Sequence, residues 1–157
     1  MSAPSGRAWR LAGALAVLVV AADQAAKAVV EAQVTIGERI DVLGPLRITL
    51  AHNRGVAFGL AGGAGASLVI VTVLALSVVG YLVSRDPTRP GMWVAVGLIA
   101  GGAVGNLVDR VRADRVTDFI DLPPWPAFNL ADMAITGGVL LLVVLYLLDS
   151  RPEAAGG

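Results

Sequence analysis

The sequence predicts an all-α integral membrane protein: four transmembrane helices with a small β-like surface cradle at one membrane face. Three observations carry that expectation. Of its 157 residues 56% are hydrophobic and 15% charged, whereas a soluble domain carries about 45–50% apolar and about 25% charged residues. Four stretches, 9–30, 66–84, 92–111 and 130–148, approach the roughly 20 apolar residues that a bilayer-spanning helix needs. Between the first two, the pattern changes from long apolar runs to short alternations.

The first span, WRLAGALAVLVVAADQAAKAVV, imitates a cleavable secretory signal, with Arg7 and Arg10 ahead of an apolar run. Asp23 and Lys27 fall where such a signal needs small neutral residues before its cut. Their i, i+4 spacing puts them on one helix face, where they pair, so a retained helix is read. Residues 31–63 form the cradle: Arg39 to Leu43 and Leu46 to Leu50 alternate around Gly44-Pro45, the pattern of two short half-buried strands and a turn. Unpaired strand edges cannot sit in lipid, which places this segment on the membrane surface. Residues 66–84 carry no charge, and the link RDPTRPG returns the chain to the span at 92–111. The proline-rich stretch 112–129 reads as a loop, and 130–148 closes what is expected to be one domain over residues 1–157.

Composition excludes much chemistry. Lys+Arg and Asp+Glu both number 12, so net charge gives no reason to expect nucleic acid as a partner. There are no cysteines and a single histidine, His52, taken as a surface residue. Disulfides, thiolate nucleophiles, histidine triads and the usual metal-ligand sets go with them. No metal and no cofactor is expected. Chemistry must rest on carboxylates, amides, hydroxyls or arginine.

Ionisable residues in membrane spans cost roughly 2.5–3.5 kcal/mol each, so each needs a reason. Here they collect at one end: Asp23 and Lys27, then Asn53, Arg54 and Gly55, then Asn106, Asp109 and Arg110, then Asp118, Asn129 and Asp132. Four antiparallel spans bring all of these to one interface. Bland alternatives stand beside this. Asp23 with Lys27 is read as a structural ion pair. Asn106 and Asp109, three apart, satisfy each other or cap a helix end. Gly101 and Gly105 make a small-xxx-small helix contact. Asn129 and Asp132 fit a helix N-cap and an acid at its third position.

Asp118 is harder to dismiss. Prolines 123, 124 and 126 forbid a continuous helix to Asp132, so the chain folds back and brings Asp118 against the start of the last span. Two close carboxylates share a proton, one activating water while the other acts as acid. Other classes use buried acids too. A small proton-coupled transporter would set them at mid-membrane on repeated spans, yet these cluster at one end and no repeat is evident. A non-enzymatic membrane assembly subunit would use the glycine faces and tolerate loss of either aspartate.

Five blocks in order, DQAAK at 23–27, NRGVAF at 53–58, GGAVGNLVDR at 101–110, VTDFID at 116–121 and FNLADMAI at 128–135, resemble the lipoprotein signal peptidases, or type II signal peptidases, over nearly the whole chain. The resemblance implies an aspartic endopeptidase of the bacterial cytoplasmic (inner) membrane. It would remove the signal peptide of prolipoproteins just before the diacylglyceryl-modified cysteine. It implies Asp118 and Asp132 as the catalytic pair, with Asn53, Gly55, Asn106, Asp109, Arg110 and Asn129 binding substrate or bracing the site. Asp23 and Lys27 would be structural. Cytoplasmic termini, an extracytoplasmic cradle and active site, contact with membrane lipids and inhibition by cyclic peptides of the globomycin type are further implications, and a monomer is expected.

Overall fold

The computed structural model describes residues 6–54, 77, 80–81 and 89–149. Three helices among them are long and apolar enough to cross a membrane. They are α1 (Gly6–Gln33), α2 (Met92–Ala113) and α3 (Leu130–Asp149). Their bounds match three of the four expected spans to within a few residues. The second expected span, 66–84, lies outside the described residues apart from Ser77, Gly80 and Tyr81, which are helical.

Small residues set how closely these helices approach. A Cβ placed on Gly101 would stand 2.7 Å from Val19 Cβ and 2.8 Å from the Ala16 carbonyl oxygen of α1. One on Gly102 would collide with the Ala131 carbonyl oxygen of α3. With little hydrophobic drive between helices in lipid, such close backbone contact is a main source of attraction. The Gly101–Gly105 stripe is thus a contact face of α2, as its spacing predicts. Away from the sheet, α2 and α3 meet through Met92, Ala95, Ile99 and Leu142.

The expected cradle is a three-stranded antiparallel sheet in the order β1 (Arg39–Leu43), β2 (Leu46–Asn53), β3 (Val116–Asp121). The first two strands and their turn fall where the alternation puts them; Gly44 adopts φ 54, a conformation natural to glycine. The third strand corrects the expectation of a loop over 112–129. Val116–Asp121 pairs along β2, with Ala51 opposite Asp118 and His52 opposite Thr117. Its residues are buried on both faces rather than alternately, and a strand of that kind lacks the period-2 signal. Leu50 and Phe119 pack on Val30 and Val34, which seats the sheet on the end of α1.

Candidate active site

Asp118 and Asp132 come together through backbone pairing. After β3 the chain turns through Leu122–Trp125, and Phe128 then bonds back to Ile120 in both directions, at 2.8 and 3.0 Å. Residue 129 is thereby delivered beside residues 117 and 118. There Asn129 caps α3: its Oδ1 accepts from the Asp132 N–H at 2.9 Å, and Asp132 Oδ2 accepts from the Asn129 N–H at 3.3 Å. This reciprocal box is what the Asn129-to-Asp132 spacing predicts. It also fixes the Asn129 amide, whose NH₂ must point away from the helix. That NH₂ lies 2.7 Å from Asp118 Oδ1, 3.1 Å from Asn106 Oδ1 and 3.3 Å from the Thr117 carbonyl. Asn106 Nδ2 in turn donates to Asp132 Oδ1 at 2.7 Å. Two asparagines therefore tie the two carboxyl groups into one array.

Asp118 is 3% exposed. Among the described residues no cation stands within ion-pair distance of it. Burial first, then the nearby charge of Asp132, push its carboxyl from the ordinary range up to about 6; hydrogen bonds from Asn53 and Asn129 and the charge of Lys27 pull the other way. Asp132 is half-buried. It lines a cavity of about 370 Å³ whose other walls are Trp125, Phe128, Met133 and Thr136. Among the described residues the cavity lining is mainly apolar, with the Asp132 carboxyl and the Thr136 hydroxyl as its polar groups.

Behind the pair lies a buried ionic cluster. Lys27 is 3% exposed and bonds Asp23 Oδ2 and Asp109 Oδ2, each at 2.7 Å. Asp23 also accepts the Ala131 N–H at 3.0 Å, one of the free donors at the start of α3. Asp109 does not turn to Asn106, three residues away. It takes Lys27, Gln24 Nε2 at 2.8 Å and the Thr117 N–H at 3.2 Å. Arg110 folds back so that Nη1 donates to the Asn106 carbonyl at 3.3 Å. Asn53, at the exposed end of β2, reaches Asp118, and Gly55 lies outside the described residues.

Gln24, Glu31 and Thr117 belong to this array and were not among the expected residues. Glu31 accepts from Thr117 Oγ1 at 2.6 Å. A signal existed: Asp23, Gln24, Lys27 and Glu31 form a polar stripe at helical spacing in an otherwise apolar segment. His52 is half-buried beside β3 rather than a surface residue. Burial and then the Arg115 and Arg54 charges lower its pKa against the opposing pull of Glu31.

The family model for signal peptidase (SPase) II matches residues 15–148. The lipoprotein signal peptidase of Moorella thermoacetica is 43% identical over 141 residues, 88% of this chain and 94% of that protein. That of Pelotomaculum thermopropionicum is 44% identical over 136 residues, 85% and 89% of the two chains. A solved structure described as a bacterial membrane enzyme superposes with a TM-score of 0.81 at 33% identity, covering 93% of each chain. A family match across both membrane-crossing ends and the array between them leaves one assignment: the chain belongs to the signal peptidase II family, a multi-pass membrane protease of lipoprotein processing.

Proposed function

We propose that this protein cuts prolipoprotein signal peptides just before the diacylglyceryl-modified cysteine, by aspartic hydrolysis with Asp118 and Asp132. One observation carries the reading: two carboxyl groups joined by Asn106 and Asn129, one of them buried with no cation at ion-pair distance among the described residues, at the mouth of a mainly apolar cavity. Both oxygens of Asp132 face N–H donors, from Asn106 and the Asn129 backbone. Burial raises the Asp118 carboxyl to about 6, so Asp118 is read as the proton carrier of the pair below that pH and Asp132 as the acceptor.

Asp132 then takes a proton from water as the water oxygen attacks the scissile carbonyl, and Asp118 gives its proton to the developing oxyanion. When the resulting diol collapses, the leaving amine takes the proton held by Asp132. Asp118 recovers one from a diol hydroxyl, which restores both groups. Asn53 and Arg110 hold the substrate backbone, and Gly55 allows it close approach. No cofactor takes part. Residues 66–84 supply the fourth span, the termini are cytoplasmic, and the site works at the extracytoplasmic face of the bacterial inner membrane. The protein acts as a monomer, and cyclic peptides of the globomycin type occupy the cavity in competition with substrate.

The test is cleavage of a diacylglyceryl-modified prolipoprotein by wild type, Asp118→Asn and Asp132→Asn, with folding followed by thermal melt. Each folded variant is expected to lose roughly a thousandfold or more in kcat. Substantial activity in either would remove that aspartate from the mechanism. In wild type, kcat/KM falls as pH rises through about 6, because the free enzyme then loses the Asp118 proton.

A further inference from the structure

We infer that Lys27 is a positioning residue for the aspartate pair, acting through Asn106. The inference rests on the reading of Asp118 and Asp132 as the catalytic pair. It assigns Lys27 a part in turnover beyond its ion pair with Asp23.

The chemistry of the donors makes the case. An asparagine side chain has two nearly isosteric ends, one accepting and one donating, and can turn over by half a rotation. A lysine ammonium has only donors. Lys27 Nζ lies 3.3 Å from Asn106 Oδ1, so the end of Asn106 that faces the cation must be its oxygen. The NH₂ end is then forced toward Asp132 Oδ1, 2.7 Å away. The same oxygen of Asn106 receives one hydrogen of Asn129, whose own orientation the α3 cap has fixed. The cation and the capped Asn129 thus hold one oxygen between them and give direction to a chain of hydrogen bonds running from α1 through α2 to the reacting carboxylate on α3.

Lys27 is itself held for this. Asp23 on its own helix and Asp109 on α2 grip it at 2.7 Å each, and Gln24 bridges the same two carboxylates, at 3.4 Å and 2.8 Å. Among the described residues, the charged groups around the pair are Lys27, Asp23 and Asp109 behind it, Arg110 on the Asn106 carbonyl, Glu31 on Thr117, and Asp132 facing Asp118. Asn53 and Asn129 are the neutral donors on Asp118. The Lys27 charge also favours the ionised form of Asp118. With Lys27 made neutral and unable to donate, Asn106 Oδ1 keeps only the Asn129 donor, and the bond from Asn106 to Asp132 Oδ1 loses the charge behind it.

The experiment is the kcat/KM–pH profile of purified full-length wild type, Lys27→Met and Lys27→Arg on a diacylglyceryl-modified prolipoprotein, beside melts and the Asp118→Asn and Asp132→Asn variants. In Lys27→Met both limbs of the profile should move to higher pH by roughly half a unit or more, with about a tenfold or greater loss at pH 6. Lys27→Arg, which keeps charge and donors, should restore the wild-type limbs. A folded Lys27→Met whose limbs stay put, however weak its activity, overturns the inference and leaves Lys27 purely structural. If Lys27→Met does not fold, Lys27→Leu serves, equally neutral and without a donor, and unmoved limbs there are equally fatal. Should the two aspartate variants retain activity, the proposed pair itself fails, an outcome distinct from dead aspartate variants with an unshifted Lys27→Met profile.

Discussion

The two ends of the α2–α3 pair are built on different physics. Away from the sheet, Met92, Ala95, Ile99 and Leu142 meet with Val96, Leu141 and Tyr146 around them, and Arg89 closes the end over the Tyr146 ring and on the Leu145 carbonyl. Beneath the sheet, the same two helices and α1 bury Asp23, Lys27, Asn106 and Asn129. The apolar end asks only for fit, and volume-conserving changes there are cheap. At the polar end each group has a partner of fixed direction, and removing one strands the other in low dielectric. Tolerance should therefore differ sharply along a single helix pair.

The strongest way to break that contrast is a matched pair of substitutions. Asn129→Leu, nearly isosteric, removes the α3 cap and the donor to Asp118 together, and should cost roughly a thousandfold in kcat. Leu142→Ala should cost about 2–5 kcal/mol of stability, because Leu142 is buried between α2 and α3, and should leave kcat within about threefold. Turnover and thermal melts on the two proteins decide it. Equal losses of activity would mean the ends are not functionally separate.

Between the ends, Gly102 joins packing to chemistry. Its missing Cβ is what lets α2 lie against the Ala131 carbonyl, one residue before Asp132. Gly102→Ala should cost about 1–3 kcal/mol in stability. By displacing the start of α3 it should also lower kcat about a hundredfold, since sub-ångström misplacement of a reacting group is expensive. An alanine variant with normal kcat and a lowered melt would confine the glycine to packing.

A smaller effect sharpens the contrast through pH. The folded-state pKa of Asp118 is raised from 3.8 to about 6. Between those values the folded protein holds a proton that the unfolded chain has released. Stability from this group is therefore present at low pH and is lost as pH rises through that window. Asp118→Asn escapes the loss. It should melt like wild type near pH 4 and above it near pH 8, by roughly 1–2 kcal/mol once relaxation is allowed for. A variant that is both inactive and more stable would mark Asp118 as a residue kept for chemistry at a cost to the fold.

How much of this was legible in the sequence follows from the same division. Span length and apolarity reported α1, α2 and α3 directly, because a bilayer imposes a minimum length that composition reveals. The β1–β2 hairpin showed through alternation and its Gly44-Pro45 turn. β3 did not, because Thr117, Asp118 and Asp121 all point into protein and no face of the strand is left to alternate. The clustering of Asp23, Asn106, Asp109, Asn129 and Asp132 could be read from helix ends alone. Their partners could not. Asp109 looked like a neighbour of Asn106 on one helix turn, yet Lys27 of another helix claims it, and only the crossing of α1 and α2 at Gly101 and Gly105 decides that.

The smallest predicted effect concerns two aspartates three residues apart on one strand. Strand alternation sends Asp118 and Asp121 to opposite faces. Asp118 meets amides and another acid; Asp121 meets Arg47 at 2.9 Å and Arg39 at 3.4 Å. The Arg39 side chain is 65% exposed, so water screens that pair, whereas Arg47 at 26% and Asp121 at 11% are screened only in part. Ion pairs in that setting contribute about 0–1 kcal/mol. Asp121→Asn should accordingly lower stability by about 0.5 kcal/mol, less as salt is added, and leave the kcat/KM–pH profile where it was. A tenfold loss of turnover in this variant would extend the reacting site across the sheet to its arginine-bearing edge. Silence there, beside a dead Asp118→Asn, would show that partners rather than residue type separate a catalytic aspartate from an ornamental one on the same strand.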